Sequence, residues 1–267
     1  MINDYLNDIY KTGFSNYLIN NINYDNLKLL TKEKNNDKDS NKKLSTEEYT
    51  KYQNLFLRGL NELTNNRDKA IYSALFMAIV YPNRLHYDWG GGHGEGNNSA
   101  YFIGLNPTLG ELYNLEDGAE LDEDRDGGDG TFTPDERERN YDCSGFVSWT
   151  AYNANILDKI IPAPCCQDFM QGLGGLKKVM DNPSTMQVGD YAFVIDDDFA
   201  HHIGIIVHKD DKGIIIAHVS GRSNCDGLTL SRIDNNNHLI ENSVIANKRS
   251  SMEFGKRYFN GYMQVKY

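Results

Sequence analysis

Two kinds of hydrophobic pattern divide the chain into a helical first part and a strand-rich second part. After Ser45, apolar residues recur at three- and four-residue spacing, which predicts a helix of roughly eighteen residues: Tyr49, Tyr52, Phe56, Leu60 and Leu63. Ser45 and Glu48 together have the form of a capping box at its start. A second helix is predicted from Asp68 to about Val80, because Pro82 disfavours helix in the residue before it.

The second part of the chain has short apolar, β-branched runs separated by turn residues, which predict strands. The runs are Tyr191–Ile195, Ile203–His208 and Ile214–Val219, with further strands expected near Ser243–Ala246 and Tyr262–Tyr267. A third helix is predicted to begin at Cys143, where a polar loop changes into an apolar run. Helices followed by consecutive strands predict an α+β fold, with N-terminal helices packed on a meandering antiparallel sheet.

Composition shifts suggest where the chain divides. We predict an N-terminal helical extension over residues 1–66, with a polar linker at 35–43. Residues 67–267 are then the main domain, interrupted at about 93–140 by a segment rich in Asp and Glu. This acidic insertion is not regular enough in its hydrophobic pattern to predict helix or strand.

Charge and hydropathy exclude several kinds of partner. The formal net charge is −11 and no basic stripe occurs, so binding to nucleic-acid phosphates is not expected. The most apolar stretch, Ala70–Tyr81, is shorter than the roughly twenty residues that a spanning helix needs. Residues 1–6 have neither the basic start nor the apolar run of a secretion signal.

The chain has four cysteines, at positions 143, 165, 166 and 225. They form neither a CxxC pair nor a Cys/His spacing suited to zinc, so at least one is expected to be a free, reactive thiol. Cys143 is the strongest candidate, because a helix start offers unpaired N–H groups and a positive dipole end that favour a thiolate. Gly145 beside it allows close approach to the backbone, whereas Cys165 and Cys166 are interpreted as packing or loop residues.

Two histidines lie on neighbouring predicted strands. If these strands pair about a turn centred near Asp210 and Asp211, His202 falls opposite position 218 or 219. Opposed residues share a face with side chains roughly 5 Å apart. A cysteine packed over that face completes a Cys–His–His relay, in which His202 takes the thiol proton and His218 orients it. Pairing alone leaves His201 as an alternative base.

Four short segments carry a family resemblance. They read YDWGG at 87–91, DCSGFV at 142–147, GDYAF at 189–193 and HIGI at 202–205. In this order they resemble the motifs of NlpC-type cell-wall cysteine peptidases, over about residues 67–267. One departure is the length of about fifty residues between the first two motifs, which implies a remodelled substrate cleft on that side.

The resemblance implies a papain-like fold and an activity. The expected function is a cysteine endopeptidase that hydrolyses peptidoglycan stem peptides at the γ-D-glutamyl–diamino acid bond, through an acyl-enzyme and without a cofactor. The location it implies is the cell exterior or the wall. The family pattern selects His202 over His201 as the base and His218 as the orienting residue for Cys143. It assigns substrate contacts to four residues: Tyr87, Trp89, Asp142 and Ser144.

Two other functions stay open. One is a related wall amidase, either of the CHAP type or an injected effector. The other is a calcium-dependent wall-binding module on a degenerate peptidase fold, for which loss of the cysteine or the histidine is expected. Both residues are present in this chain.

The acidic insertion contains a candidate calcium loop. With one glycine removed, the segment DRDGGDGTFTPDE at 124–136 resembles an EF-hand loop, in which oxygen ligands on alternate residues wrap a hard cation. The ligands would be the side chains of Asp124, Asp126, Asp129 and Glu136 and the carbonyl of Thr131. We expect a structural rather than a catalytic ion, and the alternative is a solvated acidic loop without a metal.

Overall fold

The computed structural model describes residues 11, 13–27, 29–30, 44–82, 85, 87, 104–105, 141–157, 165–172, 179–180, 182–220, 227–242 and 259–267. The α-helices with fully described bounds are α1 (Phe14–Asn21), α2 (Thr46–Glu62), α3 (Asn66–Leu75), α4 (Cys143–Asn153) and α5 (Cys166–Met170). Residues 24–27 and 29–30 are also helical. A π-helical segment, Phe76–Val80, continues α3 directly. The predicted strand near Ser243–Ala246 lies outside the described residues.

The strands form one antiparallel sheet. They are β1 (Val179–Met180), β2 (Tyr191–Asp196), β3 (Phe199–Asp210), β4 (Gly213–Ser220), β5 (Gly227–Asp234), β6 (Leu239–Asn242) and β7 (Gly261–Met263). Their spatial order is β1-β7-β2-β3-β4-β5-β6, so β2 to β6 make a meander and β7 returns beside β2. The predicted α+β architecture, with helices first and an antiparallel meander afterwards, is confirmed.

Local capping explains where the helices begin. The Ser45 side chain accepts a hydrogen bond from the Glu48 N–H, and the Glu48 carboxylate accepts one from the Ser45 N–H at 2.8 Å. Asn65 caps α3 with a single hydrogen bond, which its side-chain oxygen accepts from the Arg67 N–H. These bonds satisfy N–H groups that the first helical turn leaves unpaired. The predicted capping box at Ser45 is therefore confirmed.

The sheet is covered on both faces. Adjacent residues of one strand point to opposite faces, and Ile205 and Ile206 accordingly belong to two different core clusters. The cluster that contains Ile205 also includes buried residues of the helices, among them Phe56 of α2 and Trp149 of α4, whose rings stack at 5.6 Å. Helix α4 packs on β3 and β4, which brings its first residue towards the sheet.

The N-terminal helices contribute to this same core. Leu18 of α1 and Leu60 of α2 are buried in the cluster that contains Trp149. The guanidinium of Arg232, on β5, lies 3.9 Å from the ring centroid of Tyr24. The boundary at residue 66 stays a prediction, although residues on both sides of it pack together.

The GDYAF segment has a structural role. Asp190 is fully buried, and its carboxylate accepts hydrogen bonds from the N–H groups of Gln187 and Val265 and from the Arg67 guanidinium. Burial raises the pKa of Asp190, while these donors oppose the rise. This carboxylate therefore joins α3, the start of β2 and the end of the chain.

Candidate active site

Cys143 is the first residue of α4, as predicted. Asp142 caps the helix, because its Oδ1 accepts hydrogen bonds from the Gly145 N–H at 2.6 Å and from the Ser144 hydroxyl at 3.0 Å. The Cys143 side chain is buried, with 6% of its surface exposed. The thiol thus lies at the positive end of the helix dipole, where an anion is favoured.

A chain of hydrogen bonds leads away from the thiol through two imidazoles. His202 hydrogen-bonds Cys143, and its Nε2 lies 2.8 Å from Nδ1 of His218. His218 Nε2 in turn lies 2.7 Å from Oγ of Ser231. Both imidazoles also pack against the buried ring of Phe259, with centroids 5.8 Å and 5.2 Å away. The structure therefore brings Cys143, His202 and His218 together and adds Ser231 as a fourth member.

The direction of these hydrogen bonds follows from charge. Burial and the neighbouring charge of His202 hold the pKa of His218 well below its usual value, so His218 is neutral. When His202 is an imidazolium, its Nε2–H donates to Nδ1 of His218. His218 then carries its proton on Nε2 and donates to Ser231. The remaining nitrogen of His202, Nδ1, is left to face the Cys143 sulfur.

A second thiol contacts the nucleophile candidate. The Cys166 sulfur, at the start of α5, lies 3.4 Å from the Cys143 sulfur. This hydrogen bond is the largest cause that lowers the pKa of Cys143 from 9.0 to about 5; burial opposes it and the charge of His202 adds to it. The same contact and burial raise the pKa of Cys166. Cys166 is therefore the thiol donor and Cys143 the thiolate.

The predicted strand register was wrong in detail. The β3–β4 turn is at Asp211 and Lys212, and a β-bulge lies between Ile206 and His208. Ile205 pairs with Ala217, and the next position along the two strands places Gly204 opposite His218. His202 lies two residues further along β3, so His202 and His218 are diagonal neighbours. Moving the turn centre one residue later shifts the pairing by two positions, and the extra residue in β3 shifts it back by one. The two histidines still share a face, because His202 lies two residues from Gly204, the residue opposite His218.

Gly204 allows the histidine strands to approach. A Cβ at this position would lie 2.5 Å from Cγ2 of Ile216 and 3.0 Å from Cβ of His218. Any larger residue would therefore displace the strand that carries the orienting imidazole. The glycine of the HIGI segment is explained by this close contact.

The remaining predicted residues have different outcomes. The backbone of Tyr87 forms a parallel β-bridge with that of Tyr141. Because Tyr141 lies two residues before Cys143, the bridge brings the Tyr87 backbone next to the segment that leads into the nucleophile helix. Asp142 and Ser144 are buried at the helix start, where they hydrogen-bond each other. His201 is exposed and its ring packs on Phe199, away from the relay.

Several predictions fall outside the described residues. These include Trp89 and the five candidate calcium ligands, Asp124, Asp126, Asp129, Thr131 and Glu136. Within the part of the chain that the structure describes, no group of three or more His, Cys, Asp or Glu residues could hold a metal ion. The same part contains no helix long and apolar enough to cross a membrane.

Sequence reasoning missed two members of the site. Ser231 lies on β5, a strand that the hydrophobic pattern did not predict, and nothing in its neighbours marks it as functional. Cys166 is packed in the main core cluster, in agreement with its interpretation as a packing residue, but its sulfur also contacts Cys143, which the sequence did not indicate. Its position comes from α5, which packs on β3 and whose Gln167 side chain accepts from the Ala200 N–H. Long-range packing of this kind leaves no local sequence signal.

No family model, curated protein or solved structure matches this chain.

Alkylation of Cys143 is expected to persist well below neutral pH. Its folded pKa of about 5 is lower than the ordinary 9.0, so between these values the native residue is a thiolate and the unfolded one a thiol. As the pH is lowered, the rate of iodoacetamide labelling of Cys143 in the native protein should fall with a midpoint at about pH 5. Mass spectrometry of the labelled peptide gives the profile, and a native midpoint near the ordinary value would contradict the thiolate assignment.

The matched variants separate the donor from its neighbour. Cys166→Ala should raise the labelling midpoint, because the thiolate loses the hydrogen bond that lowers its pKa most. Cys165→Ala removes an exposed thiol one residue away and should leave the midpoint unchanged.

Removal of the Ser231 hydroxyl is expected to weaken the relay. Ser231→Ala leaves the buried His218 Nε2–H without this acceptor, which costs about 1–3 kcal/mol of stability. For the hydrolysis that the motif resemblance implies, we expect kcat to fall by about tenfold with KM little changed, and His218→Ala to lower kcat further. Ser231→Thr, which keeps the hydroxyl, should restore kcat.

Thr229→Val is the control for Ser231→Ala. It removes a buried hydroxyl from the same strand, and Thr229 Oγ1 has no hydrogen-bond partner among the described residues. If Thr229→Val lowered kcat as much as Ser231→Ala, loss of strand packing rather than of the relay would explain both variants.

Proposed function

We propose that this protein is a secreted or wall-located cysteine endopeptidase of the NlpC type, which hydrolyses peptidoglycan stem peptides. The observation that carries the proposal is the contact of a buried Cys143 thiolate with a His202–His218–Ser231 relay. The thiolate is a nucleophile and the relay holds a general base beside it. The motif order, which gives the proposal its family, adds the substrate class and the papain-like fold.

The reaction uses each member of the relay. The Cys143 thiolate attacks the carbonyl carbon of the scissile amide, and His202 donates its Nδ1 proton to the departing amine. This leaves an acyl group on the Cys143 sulfur. His202 then takes a proton from water, whose oxygen attacks the thioester, and the carboxylic acid product leaves with the thiolate restored. His218 fixes the ring of His202 and accepts from its Nε2–H, while Ser231 fixes His218.

Substrate contacts are proposed for residues around the nucleophile. Asp142 and Ser144 are the nearest predicted ones, and the backbone of Tyr87 is joined to the segment that precedes Cys143. Trp89 belongs to the same proposed set. The γ-D-glutamyl–diamino acid bond is the proposed cleavage point, because the motif order implies it.

The test is digestion of purified muropeptides, with product masses measured by liquid chromatography and mass spectrometry. Cleavage within the stem peptide after the γ-D-glutamyl residue supports the proposal, and Cys143→Ala serves as the inactive control. Release of intact stem peptides from the sugar would instead identify a CHAP-type or effector-type amidase. Binding without cleavage by the reduced protein would identify a wall-binding module and overturn the proposal.

A structural calcium ion in the acidic insertion is a separate part of the proposal. It rests on the spacing of the acids at 124–136. Isothermal titration with calcium should show binding to the wild type, and the Asp126→Ala and Glu136→Ala variants should lose it. Absence of calcium binding to the wild type would leave the solvated-loop interpretation.

A further inference from the structure

Two thiols of unequal character lie together at the active site. The sulfurs of Cys143 and Cys166 are 3.4 Å apart, and each side chain is 6% exposed. Among the described cysteines, Cys165 is the exposed one. A proposed peptidase mechanism uses only Cys143, so Cys166 needs a separate explanation.

The two sulfurs have complementary reactivity. Cys143 is the thiolate and Cys166 the protonated thiol that donates to it. A thiolate reacts with peroxides far faster than a thiol does, so Cys143 is the one that is oxidised first. The Cys166 sulfur, 3.4 Å away, can then attack the oxidised sulfur. A disulfide is about 2.05 Å long, so the sulfurs need to approach by about 1.4 Å.

We propose that Cys166 is a resolving cysteine, and that hydroperoxides convert the Cys143–Cys166 pair into an intramolecular disulfide that a thiol reductant reopens. The disulfide itself follows from the geometry of the pair, and only the accompanying loss of hydrolysis rests on the proposed function. The site is thus a reversible modification site, which protects the nucleophile from irreversible oxidation.

The chemistry balances in two steps. The Cys143 thiolate attacks the peroxide, an S–O bond forms, the O–O bond breaks, and the departing alkoxide or hydroxide takes the proton of His202. Cys143 is now a sulfenic acid and the peroxide is reduced. The Cys166 sulfur then attacks the Cys143 sulfur, an S–S bond forms, and the S–O bond breaks. The leaving hydroxide combines with the Cys166 proton to give water.

The surroundings of Cys166 suit this role. Helix α5 has only five residues, and the Ala200 N–H bond to Gln167 ties it to the same strand that carries His202. Cys165 is the N-cap residue of α5 and points to solvent, so it is the matched control on the same loop.

The experiment is peptide mapping of the purified full chain after treatment with hydrogen peroxide. Trypsin cuts after Arg139, Lys159 and Lys177, so Cys143 falls in peptide 140–159 and both Cys165 and Cys166 fall in 160–177. We expect these two peptides to be linked without reductant and separated by dithiothreitol. Cys165→Ser should keep the link and Cys166→Ser should lose it.

Activity recovery gives the second readout. Each protein is treated with peroxide and then with dithiothreitol, and its activity is compared with that of its own untreated sample. The wild type and Cys165→Ser should regain most of their activity. Cys166→Ser should regain an about tenfold smaller fraction, because its Cys143 is oxidised further to sulfinic acid. Equal recovery in Cys166→Ser, or a link of Cys143 to Cys165 or Cys225, would overturn the inference. A reversible link in a protein that cleaves no muropeptide would support it and overturn the proposed function instead.

Discussion

Replacing Cys143 by alanine is expected to reduce muropeptide hydrolysis by at least about 10⁴-fold, because no acyl-enzyme can form without the sulfur. The fold should survive. The residue is small, and helix α4 keeps its Asp142 cap and its buried aromatic residues. We expect the free energy of unfolding to change by no more than about 2 kcal/mol, measured by urea denaturation.

The control for this variant is Cys165→Ala. It removes an exposed thiol by the same substitution and should retain full activity. Hydrolysis at the wild-type rate by a folded Cys143→Ala protein would show that the nucleophile lies elsewhere.

Replacing His202 by alanine is expected to lower kcat by about 10²- to 10⁴-fold. The variant loses the group that protonates the leaving amine and activates water. It also loses a charge that lowers the pKa of Cys143, so thiolate labelling should shift to higher pH. Both effects can be measured on one preparation, by muropeptide kinetics and by the pH profile of iodoacetamide labelling.

His201→Ala is the matched control, one residue along the same strand. Its ring is on the exposed side with Phe199, so both kcat and the labelling profile should be close to wild type. An inactive His201→Ala protein beside an active His202→Ala protein would reverse the assignment of the base.

The helix that carries Cys143 could be predicted because its start is determined locally. Asp142 caps the first turn from the residue directly before the cysteine, and the change from polar to apolar residues occurs at the same place. The capping box at Ser45 is equally local, with both partners within four residues. Such bonds need no distant part of the chain, so sequence patterns report them directly.

The sequence predicts that His202 and His218 share one face of the sheet, but it does not predict the register of their strands. Side chains alternate along a strand, and His202 lies two residues from Gly204, the residue opposite His218, so both imidazoles are on one face. The turn at Asp211 and Lys212 and the bulge between Ile206 and His208 together set the register of β3 on β4. A bulge adds one residue without a distinct local signature, so only the folded sheet reveals it.

The sequence by itself determined the helices that begin at Ser45 and Cys143, the strands β2 to β4 and the two histidines on neighbouring strands, because each depends on nearby residues. Only the tertiary structure decided which groups complete the site. Ser231 reaches His218 from β5, and Cys166 reaches Cys143 across 23 positions of the chain. The physical reason is that a hydrogen bond between distant segments depends on how whole elements pack, and no local pattern of residues records that packing.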